Sequence, residues 1–167
     1  MNESISFKTL HQIGKGNIYN FLSNAYQKYA SFDPRAIEEW IKGWKDFDDF
    51  VFSFTDEDAS FGFSTFLGNK AIGFSSWDPR QFPIAIVGHN CILSDYQCKD
   101  LGKMQMMETI NRLRIAGFKK AKATTGELTF FIPAQKMYTF CGFQEFERRY
   151  GDKNSDFQTI HYEMLLV

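Results

Sequence analysis

The stretch from residue 84 to residue 124 limits the fold more than any other part of this chain. Ile84 to Leu93 is a nearly continuous apolar run, residues 102–116 carry a helical stripe, and residues 119–124 form a second, short strand pattern. A strand with no polar alternation belongs where both faces are covered. Strand, helix and strand in succession make a crossover, and a crossover joins two parallel neighbours. The helical stripe holds Met106, Ile110 and Leu113, with Met104 and Met107 beside it. Gly117 is a natural stop for that helix, and Phe118 just after it suits the apolar contact of a glycine cap.

The flanking segments read as an antiparallel sheet with added helices. Residues 5–10 alternate loosely as a first strand. Ile18 to Tyr29 places Ile18, Phe21, Leu22, Ala25 and Tyr29 at helical spacing. Residues 35–45, opened by Asp33-Pro34, place Ile37, Trp40, Ile41 and Trp44 on one face. The period then drops to two. Phe50-Val51-Phe52-Ser53-Phe54 reads as a strand, an acidic loop follows, and residues 61–67 and 71–77 alternate around the two-residue hairpin signal Gly68-Asn69. Residues 130–140 read as a helix with Pro133 in its first turn, and residues 143–149 and 157–166 as two closing strands. The predicted class is α/β, a mixed and mostly antiparallel sheet with a central parallel strand pair flanked by helices. With 167 residues and neither repeat nor low-complexity linker, residues 1–167 read as one domain.

Composition excludes several function classes. A net charge of -1 argues against a generally basic nucleic-acid binder. Lys119, Lys120 and Lys122 lack the aromatic interleaving that single strands favour. No apolar run reaches the ~18 residues of a membrane-spanning helix, and the N-terminus lacks the apolar segment of a signal peptide. Cys91, Cys98 and Cys141 are odd in number and have no CxxC spacing, which suits free thiols in a reducing cytoplasm. No His or carboxylate stands at ligand spacing from them, so no metal site is expected.

The chemistry concentrates where the apolar strand ends. Ile92 to Lys103 runs through a short loop into the start of the long helix. Exposed amides at a helix start favour anions, and Lys99 and Lys103 add positive charge. Phosphate binding and an ordinary strand-to-helix turn are both open on these grounds. A P-loop would need Gly at 97 and Ser or Thr at 104, where the chain has Gln97 and Met104. The dinucleotide pattern G-x-G-x-x-G is absent.

Two further patterns stand together. Gln97-Cys98-Lys99-Asp100-Leu101-Gly102 resembles the [RQ]-x-x-G-x-[GA] segment of the GNAT superfamily of acyl-CoA-dependent N-acetyltransferases. Tyr138-Thr139-Phe140-Cys141-Gly142-Phe143 resembles that family's closing Tyr, three variable residues and Gly-Phe. The element order is similar from about residue 4 to residue 166. The resemblance implies that the strands at 84–93 and 119–124 splay into a V that holds acetyl-CoA as co-substrate. It implies backbone pairing of pantetheine near Cys91, Ile92 and Leu93, and pyrophosphate on the amides of Gln97, Cys98, Lys99, Asp100, Leu101, Gly102 and Lys103. It implies Tyr138 as general acid for the leaving thiolate. Backbone amides of the 84–93 strand would stabilise the oxyanion, and the amine of the acceptor would attack the thioester directly in a cytoplasmic, metal-free ternary complex. The family often forms dimers, so a homodimer is an expected assembly. Asp100 departs from the family pattern, because it stands where the first Gly lets backbone approach phosphate, and a carboxylate there opposes an anion.

Other residues carry two readings each. His89 lies in the apolar strand and reads either as a neutral base for the substrate ammonium or as a hydrogen-bonded core histidine. Thr125 and Glu127 follow the strand at 119–124 and read as substrate or pantetheine contacts, or as plain loop residues. The Phe-rich stretch from Phe50 to Phe66 reads as sheet core, with some of it lining an acceptor site. Residues 33–60 hold nine acids against three bases, and residues 97–122 hold seven bases against two acids. That asymmetry suits a cationic amine beside the first segment and an anionic cofactor beside the second, or else two solvated faces. The rival to an enzyme is a non-catalytic CoA-binding or regulatory module on the same fold, motivated by Asp100 and by the lack of a Glu in residues 84–93.

Overall fold

Seven strands hydrogen-bond side by side in the computed structural model, which describes residues 3–151 and 156–167. They are β1 (Ile5–Lys8), β2 (Gly62–Leu67), β3 (Lys70–Asp78), β4 (Ile84–Ile92), β5 (Lys120–Gly126), β6 (Gln144–Tyr150) and β7 (Gln158–Leu165). Their order is β1-β2-β3-β4-β5-β7-β6. β4 and β5 are the parallel pair, while β1 with β2, β2 with β3, β5 with β7 and β6 with β7 run antiparallel. The sheet is therefore mixed, as the crossover requires. The hairpin closes at Leu67 opposite Lys70, with Gly68 at φ +57, a left-handed position that suits glycine.

Four α-helices are present among the described residues: α1 (Asn17–Ala25), α2 (Pro34–Ser53), α3 (Leu101–Ile115) and α4 (Ile132–Phe140). α1 stops before Tyr29, and residues Gln27–Ser31 continue as a 3-10 turn. α2 starts as Asp33-Pro34 predicts. The Asp33 Oδ1 accepts from the Ala36 N–H at 3.1 Å, and proline occupies the first turn. The strand expected at Phe50–Phe54 is not there, because α2 runs on to Ser53. Trp44, Asp48 and Val51 are its buried residues, at spacings of four and three. That helical register continues straight through the aromatic run. A short all-apolar segment carries no period of its own, so the preceding helix decides it. α3 and α4 end alike. Gly117 (φ +87) and Gly142 (φ +97) each follow a helix, and the next residue closes a six-residue ring, Phe118 N–H to Leu113 C=O and Phe143 N–H to Tyr138 C=O, both at 3.0 Å.

The chain gathers into two compact units. The first holds the described residues up to Ser76 together with His89–Leu101. Its main core joins Leu10, Ile13, Ile18, Leu22, Trp44, Val51, Phe74 and Cys91, and a smaller cluster joins Ile72, Ile92 and Leu101. The second unit holds Trp77–Gly88 and the described residues from Gly102 onward. Within it, Met106, Ile110 and Leu113 of α3 are buried as the stripe predicts. Ala121, Ala123 and Thr125 of β5 are buried too, as are Ile160 and Tyr162 of β7. The parallel ladder in this unit pairs Ile84–Ile86 with Lys120–Lys122. β4 continues to Val87 and Gly88 with no register partner on β5 among the described residues, while β5 stays paired to β7 as far as Gly126.

One buried carboxylate fixes the first unit. Asp48 is 4% exposed, and its two oxygens accept from the N–H of Gly16 at 2.9 Å and of Tyr19 at 3.2 Å. These are donors at the start of α1 that the helix itself leaves unpaired, and a negative charge is favoured there. Asp48 thus leaves the acidic segment as a structural group. The Asp48→Ala variant is expected to lose about 2–3 kcal/mol of unfolding free energy, the scale for hydrogen bonds to a charged group, measured by urea denaturation.

Candidate functional site

In the first unit, the end of β4 and the loop after it form a closely hydrogen-bonded turn. The Leu93 N–H donates to Ile72 C=O at 2.9 Å, and the His89 N–H donates to Ser76 Oγ at 3.1 Å. Amides alternate between the two edges of a strand, so the N–H of Ile92 faces the opposite edge. The Leu93 amide is therefore engaged by β3, and Ile92 presents the outward backbone donor. Gln97 Nε2 donates to Ile92 C=O at 2.9 Å, which ties the first motif residue to the strand end. Leu101 is buried with Ile72 and Ile92 and anchors the loop, so its side chain is core material and only its backbone is offered to a ligand.

The turn itself is unusual. Cys98 and Asp100 both have φ +59, a left-handed backbone that non-glycine residues seldom adopt. Asp100, the residue at which the sequence departs from the motif, thus holds a backbone conformation that glycine adopts without strain. Turns of this kind turn successive N–H groups outward at a helix start, which is the backbone geometry an anion needs. Lys99 is drawn partly aside. Its Nζ donates to Asp95 C=O at 2.9 Å and lies 5.6 Å from the Tyr96 ring centroid. Cys98 is exposed and Cys91 is buried, with burial pushing the Cys91 thiol well above its ordinary pKa. All three cysteines are free thiols.

His89 is the second element of this unit. Its ring sits 5.0 Å from Phe47 and 5.8 Å from Phe74, centroid to centroid. Burial pushes its pKa down to about 4, so the imidazole is neutral at physiological pH. A neutral imidazole is the form that accepts a proton.

The second unit holds the remaining candidates. Tyr138 of α4 is 5% exposed, with its ring 5.3 Å from both Phe143 and Tyr162. Lys103, on the first turn of α3, places its Nζ 4.4 Å from the Phe140 ring centroid. Thr125 is buried on β5 opposite Ile160. Glu127 has a structural role, because its Oε1 accepts from the Gln158 N–H at 2.7 Å. Sequence reasoning passed over a polar cluster centred on His161. Arg149 Nε donates to His161 Nε2 at 2.9 Å, and Thr124 Oγ1 and Thr159 Oγ1 lie 3.2 and 2.9 Å from the ring nitrogens. Burial, then the adjacent Arg149 charge, lowers the His161 pKa. The register that sets Thr124 opposite His161 and Arg149 opposite Thr159 brings these groups together, and nothing in the linear sequence reports it.

Comparison with solved structures decides the fold. A GNAT-family protein from Desulfovibrio desulfuricans aligns with 98% of this chain and 100% of its own, with a TM-score of 0.78 at 14% identity. The PaiA N-acetyltransferase from Thermoplasma acidophilum, solved in complex with coenzyme A, aligns with 97% and 99%, TM-score 0.75, 16% identity. The ribosomal-protein-S18-alanine N-acetyltransferase from Escherichia coli aligns with 98% and 94%, TM-score 0.68, 14% identity. The fold is that of the GNAT acetyltransferases. No family model matches the sequence, and no curated protein matches it. The GNAT likeness therefore lives in the backbone far more than in side chains. No helix among the described residues is long and apolar enough to cross a membrane.

The neutral His89 of this GNAT fold gives a pH dependence. An unfolded histidine titrates near its ordinary value and the folded one near 4, so the unfolded state binds the extra proton between them. Stability is expected to fall as pH drops from about 6.5 to about 4, by at most about 3 kcal/mol from this group. Urea midpoints at pH 7 and pH 5 measure it, and the drop should shrink in His89→Gln.

Proposed function

We propose that the chain transfers an acetyl group from acetyl-CoA to a primary amine by direct attack in a ternary complex. The observation that carries this reading is the left-handed turn at Cys98 and Asp100, which begins α3 directly after the end of β4. The amides of residues 97–103 receive the pyrophosphate, and Lys99 and Lys103 supply countercharge. The outward backbone of Ile92, with its neighbours Cys91 and Leu93, orients the pantetheine arm, and Thr125 is a further contact from β5. Acetyl-CoA supplies an activated thioester. Tyr138 holds a proton for the departing thiolate, and backbone amides of β4 stabilise the charge that develops on the carbonyl oxygen. His89, neutral and walled by Phe47 and Phe74, accepts a hydrogen bond from the substrate amine, directly or through water. The proton that the ammonium must lose before it attacks passes on to solvent, because the buried ring holds a charge poorly. Three free thiols suit a reducing compartment.

Asp100 supports a second reading, a CoA-binding module without turnover, because its carboxylate lies on the anion loop. A thiol-release assay over a panel of amines separates the two. Tyr138→Phe keeps the buried ring and its contacts with Phe143 and Tyr162 but removes the hydroxyl. It is expected to lower kcat about 100-fold, the scale of a lost general acid, while calorimetry shows the acetyl-CoA Kd nearly unchanged. Asp100→Gly removes a like charge worth about 1 kcal/mol near a phosphate in water and permits the same left-handed backbone. It is expected to tighten acetyl-CoA binding about fivefold in the same calorimetric titration.

A further inference from the structure

Five of the nine acids at 33–60 have partners within the fold, and the other four, Glu38, Glu39, Asp46 and Glu57, are exposed. Asp48 is spent on α1, and Asp33 caps α2. Asp58 bonds Thr55, Asp49 faces Lys15 at 3.7 Å, and Asp56 lies 3.8 Å from His11. A polycationic acceptor such as a polyamine needs carboxylates in series beside the base, and burial alone acts on the His89 ring, with no carboxylate charge shifting it. What leads away from His89 is apolar. Phe47 stands 5.0 Å from the His89 ring, and Phe50 follows at 6.5 Å from Phe47. Phe54 and Phe61 complete the track at 4.9 and 5.5 Å from Phe50. Phe47 and Phe50 lie three residues apart on the last turns of α2 and so share a side of it, and Phe54, the extended residue that caps the helix, brings its ring against Phe50. Phe50 is 50% exposed and Phe54 38% exposed, so the track opens to solvent at its outer end. Exposed aromatic rings joined in this way are costly to leave in water and mark a contact surface.

Asp46 adds a charge next to this strip. It is exposed and lies one turn before Phe50 on α2, where a carboxylate beside an apolar strip attracts a cation without binding a second one. We infer that the acceptor is a monoamine carried on an apolar, aromatic-sized body, whose body lies along Phe47, Phe50, Phe54 and Phe61 and whose nitrogen reaches His89. This inference rests on the acetyl-transfer reading and names the substrate class for it. Rings favour offset and edge contacts with other rings, so an arylalkyl body fits this wall better than a sugar or a peptide backbone.

The test uses two amines, 2-phenylethylamine and spermidine, each followed in two ways on the same full chain. Calorimetry measures binding in the presence of saturating CoA, and thiol release measures transfer from acetyl-CoA. The expected result is a kcat/KM at least about tenfold higher for 2-phenylethylamine, with Phe50→Ser weakening its binding about tenfold and Phe50→Leu restoring most of it. Because Phe50 is half exposed, both variants are expected to fold, and a melting curve confirms that. Thiol release that favours spermidine, or 2-phenylethylamine binding that ignores Phe50→Ser, overturns the inference and leaves acetyl transfer standing. Phe50-dependent binding of 2-phenylethylamine with no thiol release upholds the amine site and overturns acetyl transfer. Neither binding nor release with either amine overturns both.

Discussion

Two parallel strands cannot be joined by a tight turn, and that constraint organises this molecule. β4 and β5 are parallel, so the chain must leave the end of β4, return along a helix and re-enter in the same direction. The helix that does so necessarily starts beside the end of β4. Its first N–H groups have no partners within the helix. The loop that carries them is then the natural place for an anionic ligand, whatever the rest of the sequence does. In this chain the loop is further shaped by two left-handed residues, Cys98 and Asp100, and held by Gln97 bonding back to Ile92. Leu101 in the core below fixes where α3 begins.

The first unit shows the same economy with charge. A carboxylate that looked like part of an acidic surface is buried and caps α1, because an unsatisfied helix start inside a core costs more than ordering one side chain. Several neighbouring acids are also engaged within the unit. The rings that pack on His89 are those of Phe47 and Phe74. Residues 33–60 thus carry structural carboxylates as well as the exposed acids Glu38, Glu39, Asp46 and Glu57.

Much of the architecture is legible in the sequence. The apolar run at 84–93, the methionine-rich stripe of α3, the Gly117 and Gly142 stops and the Gly68-Asn69 hairpin all appear where expected, because each rests on a local rule of backbone or burial. The aromatic run at 50–54 was not legible. Five consecutive residues rich in Phe satisfy a strand and a buried helix equally, and only the packing of Trp44, Asp48 and Val51 selects the helix. The two motifs fall between β4 and α3 and at the end of α4, yet the partners of single side chains were less visible. Glu127 reads in sequence either as a ligand contact or as a plain loop residue, and its carboxylate holds the Gln158 amide. His161 sits at the centre of a polar cluster that no sequence pattern marks, since its partners come from three different strands.

The sequence by itself determined the class of fold and the place of the candidate loop. Both follow from short-range patterns: burial period, glycine stops, and a strand that passes directly into a helix. Tertiary structure decided how charge is used. Whether Asp48 faces solvent or a helix start, whether Lys99 stands free or folds back on Asp95, and whether His89 is neutral all depend on which distant groups lie within a few ångströms. Coulombic and desolvation energies vary with separation and burial, and neither is encoded in the order of residues along the chain.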